Sequence, residues 1–188
     1  MKRLSVVVLL SVVASCAHTV EEPAYRVVKR VGDSIELRVY EPALQAEVIA
    51  TGDRDNSANT AFRILFNYIT GENQRAQDIA MTAPVAQQPN NADTWRVAFY
   101  MPQQFSRADV PQPTDSRVTI KRVPSRKVAV LRFSGRHSDS NFNSHAERLR
   151  GYLRKKAIAF QEPPIFAYYD PPFQLWFLRR NEVMYVLP

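Results

Sequence analysis

The two halves of the sequence carry the same order of elements, which is two strands, a helix and two strands. Short stretches of similar sequence accompany this repeat: VKRV at 28–31 matches IKRV at 120–123, and 95–102 and 180–188 each end in an apolar residue followed by Pro. Two such units would pair their strands into one curved or barrel-like antiparallel sheet with the helices packed outside it. The sequence therefore predicts an α+β fold with approximate internal twofold symmetry.

Strands are indicated by β-rich composition, by alternation of apolar and polar residues, and by turn residues at their ends. In the first half, Gly32-Asp33 favours a hairpin turn between two strands, and Glu41-Pro42 ends the second of them. The predicted strands are 25–31, 34–40, 44–51 and 95–101 in the first half, and 118–123, 127–133, 165–169 and 182–187 in the second.

Apolar residues at helical spacing predict one helix in each half. The first helix covers 57–70, where Ser57 can cap the start and Gly71 can end the helix. Its apolar face contains Ala58, Ala61, Phe62, Leu65, Phe66 and Ile69. The second helix covers 141–159 and has Phe142, Ala146, Leu149 and Leu153 on one face.

The apolar run Ile79–Val85 follows the first helix after a polar loop. We interpret it as a buried strand, because alternation places its odd-numbered residues on one face. Pro84 favours a strand edge, a bulge or the end of pairing, since it lacks a backbone donor. A strand that closes a helix crossover is expected to line whatever cleft lies between helix and sheet. The alternative is that the run is only core.

The N-terminus has the pattern of a processed export signal. Lys2 and Arg3 precede the apolar run Leu4–Val13, which is too short to cross about 30 Å of hydrocarbon as a stable helix. The stretch Val13-Ala14-Ser15-Cys16 resembles the lipobox of bacterial lipoproteins, in which the cysteine thiol is acylated and becomes the first residue of the mature chain. We therefore predict a lipoprotein signal peptide at 1–15 and lipidation of Cys16. An ordinary secretory signal with a chance cysteine is the alternative.

The residues after this signal predict a tether and one domain. Residues 16–24 show no apolar periodicity and are interpreted as a tether, and 25–188 as a single domain. Cys16 is the one cysteine of the sequence, so no disulfide can form within the chain. Many Gram-negative lipoproteins that stay at the inner membrane have aspartate after the cysteine, whereas this chain has Ala17. For a Gram-negative host we therefore predict a lipid-anchored protein of the bacterial cell envelope, at the periplasmic face of the outer membrane.

The charge balance of the sequence is mildly basic. Removal of 1–15 takes away Lys2 and Arg3, which leaves 23 basic against 18 acidic side chains and a formal net charge of +5. The basic residues are scattered and form no arginine-rich arm or aromatic-interleaved motif. A surplus of this size favours attraction to anionic lipid headgroups or to a ligand with carboxylates, and we predict no nucleic-acid partner.

Four separated motifs, in this order, resemble those of the SOUL haem-binding protein family. They are residues 25–42, YITGEN at 68–73, MTAPV at 81–85, and YDPP at 169–172 together with RRNEV at 179–183. The resemblance covers nearly all of 25–188. It implies a distorted antiparallel β-barrel flanked by two α-helices, close in plan to effector-binding domains of bacterial drug-responsive regulators. It also implies non-covalent binding of haem or a related tetrapyrrole in an apolar groove bordered by the first helix and a loop near the C-terminus.

A tetrapyrrole is a flat apolar disc with two propionates, so its site needs an apolar slot, a cation or hydroxyl near the rim and optionally an axial ligand. Some haem-binding relatives are described as using basic residues on the first helix, and this sequence has Asn59 and Asn67 at those positions. Packing in the core is the alternative role of each aromatic residue. The residues that could wall the slot are Phe62, Phe66, Met81, Tyr168, Phe173 and Trp176, with Arg63 or Arg179 meeting the propionates and Asn59 also at the site.

The sequence predicts no conventional histidine ligand for a haem iron. His18 lies in the tether, and His137 and His145 flank the entry to the second helix, away from the groove that the resemblance implies. Some family members have a histidine between arginine and tyrosine in the second strand, where this chain has Val39. We expect loose, largely hydrophobic haem binding, with Met81 or a tyrosine as the only nearby donors.

The sequence does not predict an enzyme. It lacks the His and Cys spacings of metal sites and a Gly-rich phosphate loop, so no metal site is predicted. Glu36 and Glu47 fall on strands that we take to be neighbours and could form paired carboxylates; exposure to solvent is the alternative.

Two other functions stay open: a binding module for another apolar ligand, and a non-catalytic structural or interaction lipoprotein. The second would use the basic residues of the second helix, Arg148, Arg150, Arg154, Lys155 and Lys156.

Overall fold

A computed structural model describes residues 20–188, which form one curled antiparallel sheet of nine strands and two α-helices. The predicted α+β class is confirmed. The strands are β1 (Tyr25–Val31), β2 (Ile35–Tyr40), β3 (Ala43–Thr51), β4 (Val85–Asn91), β5 (Thr94–Tyr100), β6 (Thr119–Val123), β7 (Arg126–Phe133), β8 (Ile165–Tyr168) and β9 (Asn181–Val186). The helices are α1 (Arg54–Ile69) and α2 (Asp139–Lys155), and a short 3-10 helix covers Trp176–Leu178.

The order of strands in the sheet is symmetric about its middle. It reads β1-β2-β7-β9-β8-β4-β5-β3-β6, with every pair antiparallel. If β2, β3, β4 and β5 are exchanged with β6, β7, β8 and β9, in that order, each pair of neighbouring strands becomes another pair of neighbours. For example, β2-β7 becomes β6-β3. The central pair β4-β8 becomes itself. β1 stands outside this relation as an additional edge strand. The pairing therefore has the approximate twofold relation that the sequence predicts, but β6 corresponds to β2 and not to β1. The match of 28–31 with 120–123 is therefore not part of the repeat.

The helices obey the same relation. α1 lies against β3 and β5, and α2 lies against the corresponding strands β7 and β9. Each helix begins at a capping side chain: Asp53 accepts a hydrogen bond from the backbone N–H of Asn56 (2.8 Å), and Ser138 accepts one from Asn141 (3.4 Å). α1 begins earlier than predicted because Asp53 is its cap, and not Ser57.

Apolar residues are buried on both faces of the sheet. One cluster, which includes Leu65 and Phe99, lies under α1, and a second, which includes Phe142 and Leu149, lies under α2. A third cluster around Val130 lies on the opposite face, which α1 and α2 do not cover. Because Val130 nevertheless has no exposed surface, the sheet itself must curl over this face.

The sheet curls without closing into a full barrel. Within residues 20–188, β1 pairs only with β2 and β6 pairs only with β3, so both outer strands keep a free edge. The nine strands, both helices and the three apolar clusters all lie in these residues. A polypeptide of residues 20–188 therefore contains a complete core and is expected to fold by itself.

The run Ile79–Val85 is not the strand that its composition predicts. β4 begins only at Val85, the last residue of the run. The strand starts directly after Pro84, which lacks the backbone donor that a paired strand needs. Within the run Ile79 is buried, whereas Met81 is exposed and lies in a groove beside α1. The run therefore lines a cleft between helix and sheet, as expected, but mostly as irregular chain.

The described part of the predicted tether, residues 20–24, lies against the domain. Glu21 forms a bridge with Thr82, and the carboxylate of Glu22 accepts two hydrogen bonds from Arg180 (2.7 and 3.0 Å). The predicted signal peptide and Cys16 lie outside the described residues. Neither α1 nor α2 is long and apolar enough to span a bilayer.

Candidate functional site

A groove of about 680 Å³ lies beside α1. Its lining comes from α1, from residues 81–87 before and within β4, from His137, and from residues 168–172 at the end of β8. These segments come from both halves of the chain, and the antiparallel pairing of β4 with β8 brings them together. The volume is within the range of pockets that bind small molecules.

Two phenylalanines of α1 form an apolar wall of the groove. Phe62 and Phe66 lie one helical turn apart, with stacked rings whose centroids are 6.0 Å apart. They are 40% and 44% exposed, and Met81 in the same groove is 38% exposed. Large apolar side chains grouped at such exposure mark a surface that binds a ligand or a partner.

A buried arginine organises the polar end of the groove. Arg54, in the first turn of α1, donates from Nη1 to the hydroxyl of Tyr168 (3.0 Å) and from Nη2 to the carbonyl of His137 (2.8 Å). It also forms an ion pair with Asp139 at the start of α2 (2.7 Å). Arg54 therefore joins α1, β8 and α2 and fixes two residues of the groove. Burial raises the pKa of Tyr168 well above its usual value, so its hydroxyl stays neutral.

His137 lies in the lining of the groove, and the expectation that it lies elsewhere is wrong. Its ring packs edge-on against Tyr168, with centroids 4.8 Å apart. Burial lowers the pKa of His137, and the charge of Arg179 lowers it further, against an opposing effect of Asn181. The imidazole is therefore neutral at pH 7, and its Nε2 is buried without a hydrogen-bond partner among residues 20–188. The contact with β8 is long-range, which sequence periodicity cannot reveal.

The predicted ligand-binding residues divide between the groove and its surroundings. Five of them line the groove: Asn59, Phe62, Phe66, Met81 and Tyr168. Phe173, Trp176 and Arg179 line an adjoining cavity of about 500 Å³, which shares Asp55, His137 and Pro172 with the groove. The guanidinium of Arg179 donates to the carbonyl of Gln174 (2.8 Å), so it holds its own loop. Arg63 is an exposed residue of α1 outside both cavities.

Several residues that line the groove are not predicted from the sequence. Val20 falls within the predicted tether, and Asp55 precedes the predicted start of the first helix. Neither position carries a signal in the sequence alone. Asp170 and Pro172 also line the groove, and they belong to the motif YDPP. That motif could have indicated them.

Glu36 and Glu47 do not form a pair of carboxylates. They lie on β2 and β3, which are not neighbours in the sheet. Glu36 forms ion pairs with Arg30 (2.9 Å) and Arg38 (2.7 Å), and Glu47 forms ion pairs with Lys121 and Arg96. Burial raises the pKa of Glu36, but the hydrogen bonds from the two arginines outweigh it and hold the pKa below its usual value. Among residues 20–188, no group of three or more His, Cys, Asp or Glu side chains is placed to hold a metal ion.

The chain is similar to animal proteins over most of its length. Residues 20–186 match the family described as SOUL heme-binding protein. The chain is 30% identical to heme-binding protein 2 of Homo sapiens over 188 residues, which covers 89% of this chain and 90% of that protein. It is 29% identical to heme-binding protein 1 of Xenopus laevis over 163 residues, with 82% of this chain and 84% of that protein covered.

Solved structures share the fold at much lower identity. The C-terminal domain of EcmrR superposes with a TM-score of 0.64 at 10% identity, covering 87% of this chain and 98% of that one. A Listeria innocua protein described as a hydrolase gives a TM-score of 0.56 at 12% identity, covering 82% and 92%. At these identities the likeness shows the fold alone.

The family match over residues 20–186 and the relatives at about 30% identity lead to one conclusion: the chain belongs to the SOUL haem-binding protein family.

Proposed function

We propose that the groove beside α1 binds haem or a related tetrapyrrole without covalent attachment. The observation that carries the proposal is the stacked pair Phe62 and Phe66, which presents exposed aromatic surface to a cavity of about 680 Å³. The names of the related heme-binding proteins 1 and 2 support the same ligand class. We propose a binding function and no catalytic one.

The residues present fit such a ligand. Phe62, Phe66 and Met81 offer an apolar surface for the disc of a tetrapyrrole. Its propionates need cations, and Arg136 and Arg179 line the cavity that adjoins the groove at His137. These two arginines, and not Arg63, are the cations that we assign to the rim.

Four side chains of the groove carry atoms that iron accepts, those of His137, Met81, Tyr168 and Tyr169. Both tyrosine hydroxyls are hydrogen-bonded within the protein and burial raises their pKa values, which leaves His137 and Met81 as the donors. An iron tetrapyrrole offers axial positions to protein donors, and imidazole nitrogen and thioether sulfur are both known donors. His137 is neutral and Met81 is exposed in the groove. We propose His137 as the more suitable donor, because its backbone carbonyl is held by Arg54 and its buried Nε2 has no hydrogen-bond partner among residues 20–188, so a rotation of the ring toward the groove would present that nitrogen. This replaces the expectation of binding without a histidine.

A haemin titration of the polypeptide of residues 20–188 tests the proposal. We expect saturable one-to-one binding with a shift of the Soret absorbance. Phe62→Asp is expected to weaken binding by about 100-fold or more, because it places a charge against an apolar ligand. Val28→Asp is the control, since Val28 is an exposed apolar residue on β1, outside the groove. Non-saturating uptake that neither substitution changes would refute the groove as a haem site.

Two further variants in the same titration distinguish the donors. A changed Soret maximum in His137→Ala, with Met81→Leu like the wild type, supports His137. The opposite result assigns Met81. Unchanged spectra in both variants, with the Phe62→Asp effect intact, would mean hydrophobic binding without either donor. Weak haemin binding together with a thermal shift caused by another apolar compound would favour the alternative ligand class.

We also propose that the protein is a lipoprotein of the bacterial envelope, anchored through Cys16. The support is the pattern Val13-Ala14-Ser15-Cys16 after an apolar run with a basic start. Cys16→Ser is expected to abolish acylation and to release the protein from the membrane fraction. Mass spectrometry and membrane fractionation measure this, and an unchanged mass and distribution would contradict the anchor.

A further inference from the structure

The segment between β8 and β9 carries the most exposed group of apolar side chains in residues 20–188. We call Phe173–Leu178 the aromatic loop. Five of its six residues are large and apolar, and each of the five is at least 50% exposed, with Phe173 at 86%. A soluble surface rarely carries such a group unless it binds something.

The aromatic loop is held in shape by its own backbone and by the sheet. The backbone N–H of Gly135, just after β7, donates to the carbonyl of Trp176 (2.9 Å), and Leu178 donates to Leu175 (2.9 Å). The side chain of Arg179 donates to the carbonyls of Gln174 (2.8 Å) and Pro172. These bonds fix the backbone while the apolar side chains remain outside. The exposure therefore belongs to an ordered surface and does not come from an unfolded segment.

The aromatic loop lies at the mouth of the groove, close to where the N-terminal segment leaves the described residues. Phe173 and Trp176 line the cavity that adjoins the groove at His137 and Pro172. Val20, the first described residue, lines the groove itself. Cys16 is four residues from Val20, a span of at most about 14 Å. A lipid anchor on Cys16 would therefore hold the groove mouth and the aromatic loop near a bilayer.

Charge and composition also fit a lipid surface. Trp and Phe side chains prefer the boundary between headgroups and acyl chains, and basic residues beside them attract anionic headgroups. Arg136 lies in the same cavity as Phe173 and Trp176, and the acidic residue of that cavity, Asp55, is ion-paired with Arg54 (3.3 Å). A bilayer also accepts protruding side chains of any shape, whereas a protein partner would need a pocket for each.

We propose that the aromatic loop inserts into the interfacial layer of an anionic membrane and so places the groove mouth at the lipid surface. The insertion is a second membrane contact, separate from any acylation of Cys16. It does not depend on which ligand the groove binds. An apolar ligand could then pass between bilayer and groove with little exposure to water.

Vesicle binding by the polypeptide of residues 20–188, which lacks Cys16, tests the loop by itself. A Trp95→Phe variant leaves Trp176 as the only tryptophan. With vesicles of phosphatidylcholine and about one third phosphatidylglycerol, we expect a blue shift of its fluorescence and quenching by brominated lipid. The double variant Phe173→Ser/Phe177→Ser is expected to lower the partition coefficient by about tenfold or more.

The controls separate lipid from other occupants. Val28→Ser/Ile49→Ser removes two apolar residues that are at least 50% exposed, on β1 and β3, and should leave partitioning unchanged, because at least two strands separate β1 and β3 from β8 and β9. Arg136→Glu should weaken binding to the anionic vesicles only. The proposal is overturned if brominated lipid does not quench Trp176, or if both double variants sediment with vesicles equally. It is also overturned if sedimentation velocity finds a dimer that Phe173→Ser/Phe177→Ser converts to a monomer, because the loop would then bind a second copy of the chain.

Discussion

Replacing Glu182 with alanine is expected to lower the free energy of unfolding by about 3–5 kcal/mol. Glu182 is on β9, near the middle of the sheet, and has no exposed surface. Its carboxylate accepts hydrogen bonds from Nη1 and Nη2 of Arg38 (2.8 and 3.0 Å) and from the hydroxyl of Tyr169 (2.8 Å). Arg180 donates to the same carboxylate (3.1 Å). One acidic group therefore satisfies two arginines and a tyrosine inside the curled sheet.

The expected loss of stability is large because the substitution leaves Arg38 buried without Glu182. Arg38 is only 3% exposed. Burial lowers the pKa of Arg38, but the hydrogen bonds and charge of Glu182 outweigh it and raise the pKa above its usual value. Without Glu182, the guanidinium stays charged in the same buried position and loses its two-point partner.

Urea unfolding followed by circular dichroism measures this loss. Glu36→Ala is the matched control, because Glu36 also pairs with Arg38 but is partly exposed, and its loss should be about 1 kcal/mol or less. The double variant Arg38→Met/Glu182→Leu removes both buried charges and should recover much of the stability. Equal losses in the two single variants would contradict the central role of Glu182.

Phe142→Ala is expected to cost about 3–5 kcal/mol and to weaken the groove as well. Phe142 has no exposed surface and lies on α2. Its ring contacts those of Phe133 (5.0 Å between centroids), Phe166 (5.2 Å) and Tyr168 (4.7 Å). Truncation leaves a cavity under α2 and removes the support behind a side chain that lines the groove.

Leu149→Ala is the control that separates an effect on stability from an effect on haemin binding. Leu149 is equally buried on α2 and in the same cluster, but it does not line the groove. Its substitution is expected to cost about 2–5 kcal/mol. Thermal unfolding and the haemin titration compare the two variants. We expect a larger loss of haemin affinity in Phe142→Ala; similar affinities in both would contradict a supporting role for Phe142.

Local patterns in the sequence predict the fold well because the fold is repetitive. Alternation and turn residues identify most strands to within a few residues, since seven of the nine strands contain buried residues; β1 and β6 contain none and follow from β-rich composition and turn residues. The prediction of a strand at Ile79–Val85 is wrong because apolar composition indicates burial, and a buried segment need not pair with a neighbouring strand. Ile79 is buried there without belonging to a strand.

The groove is predictable only in part. Asn59, Phe62, Phe66 and Met81 follow from helical spacing and from a family motif, which are local properties of the sequence. His137 does not, because it reaches the groove through contacts between the two halves: Arg54 binds its carbonyl, and Tyr168 packs against its ring. Neither contact leaves a periodic mark in the sequence.

The strand order also bears on how the chain can fold as it is made. β9 is the last of the nine strands in sequence, yet it lies between β7 and β8 and joins them. Until residues 181–186 are present, the sheet remains in two unconnected pieces, and β7 and β8 each expose an edge that another chain can pair with. Completion of the sheet must therefore wait until residues 181–186 are made, and a chaperone that shields those two edges during synthesis would protect the chain most.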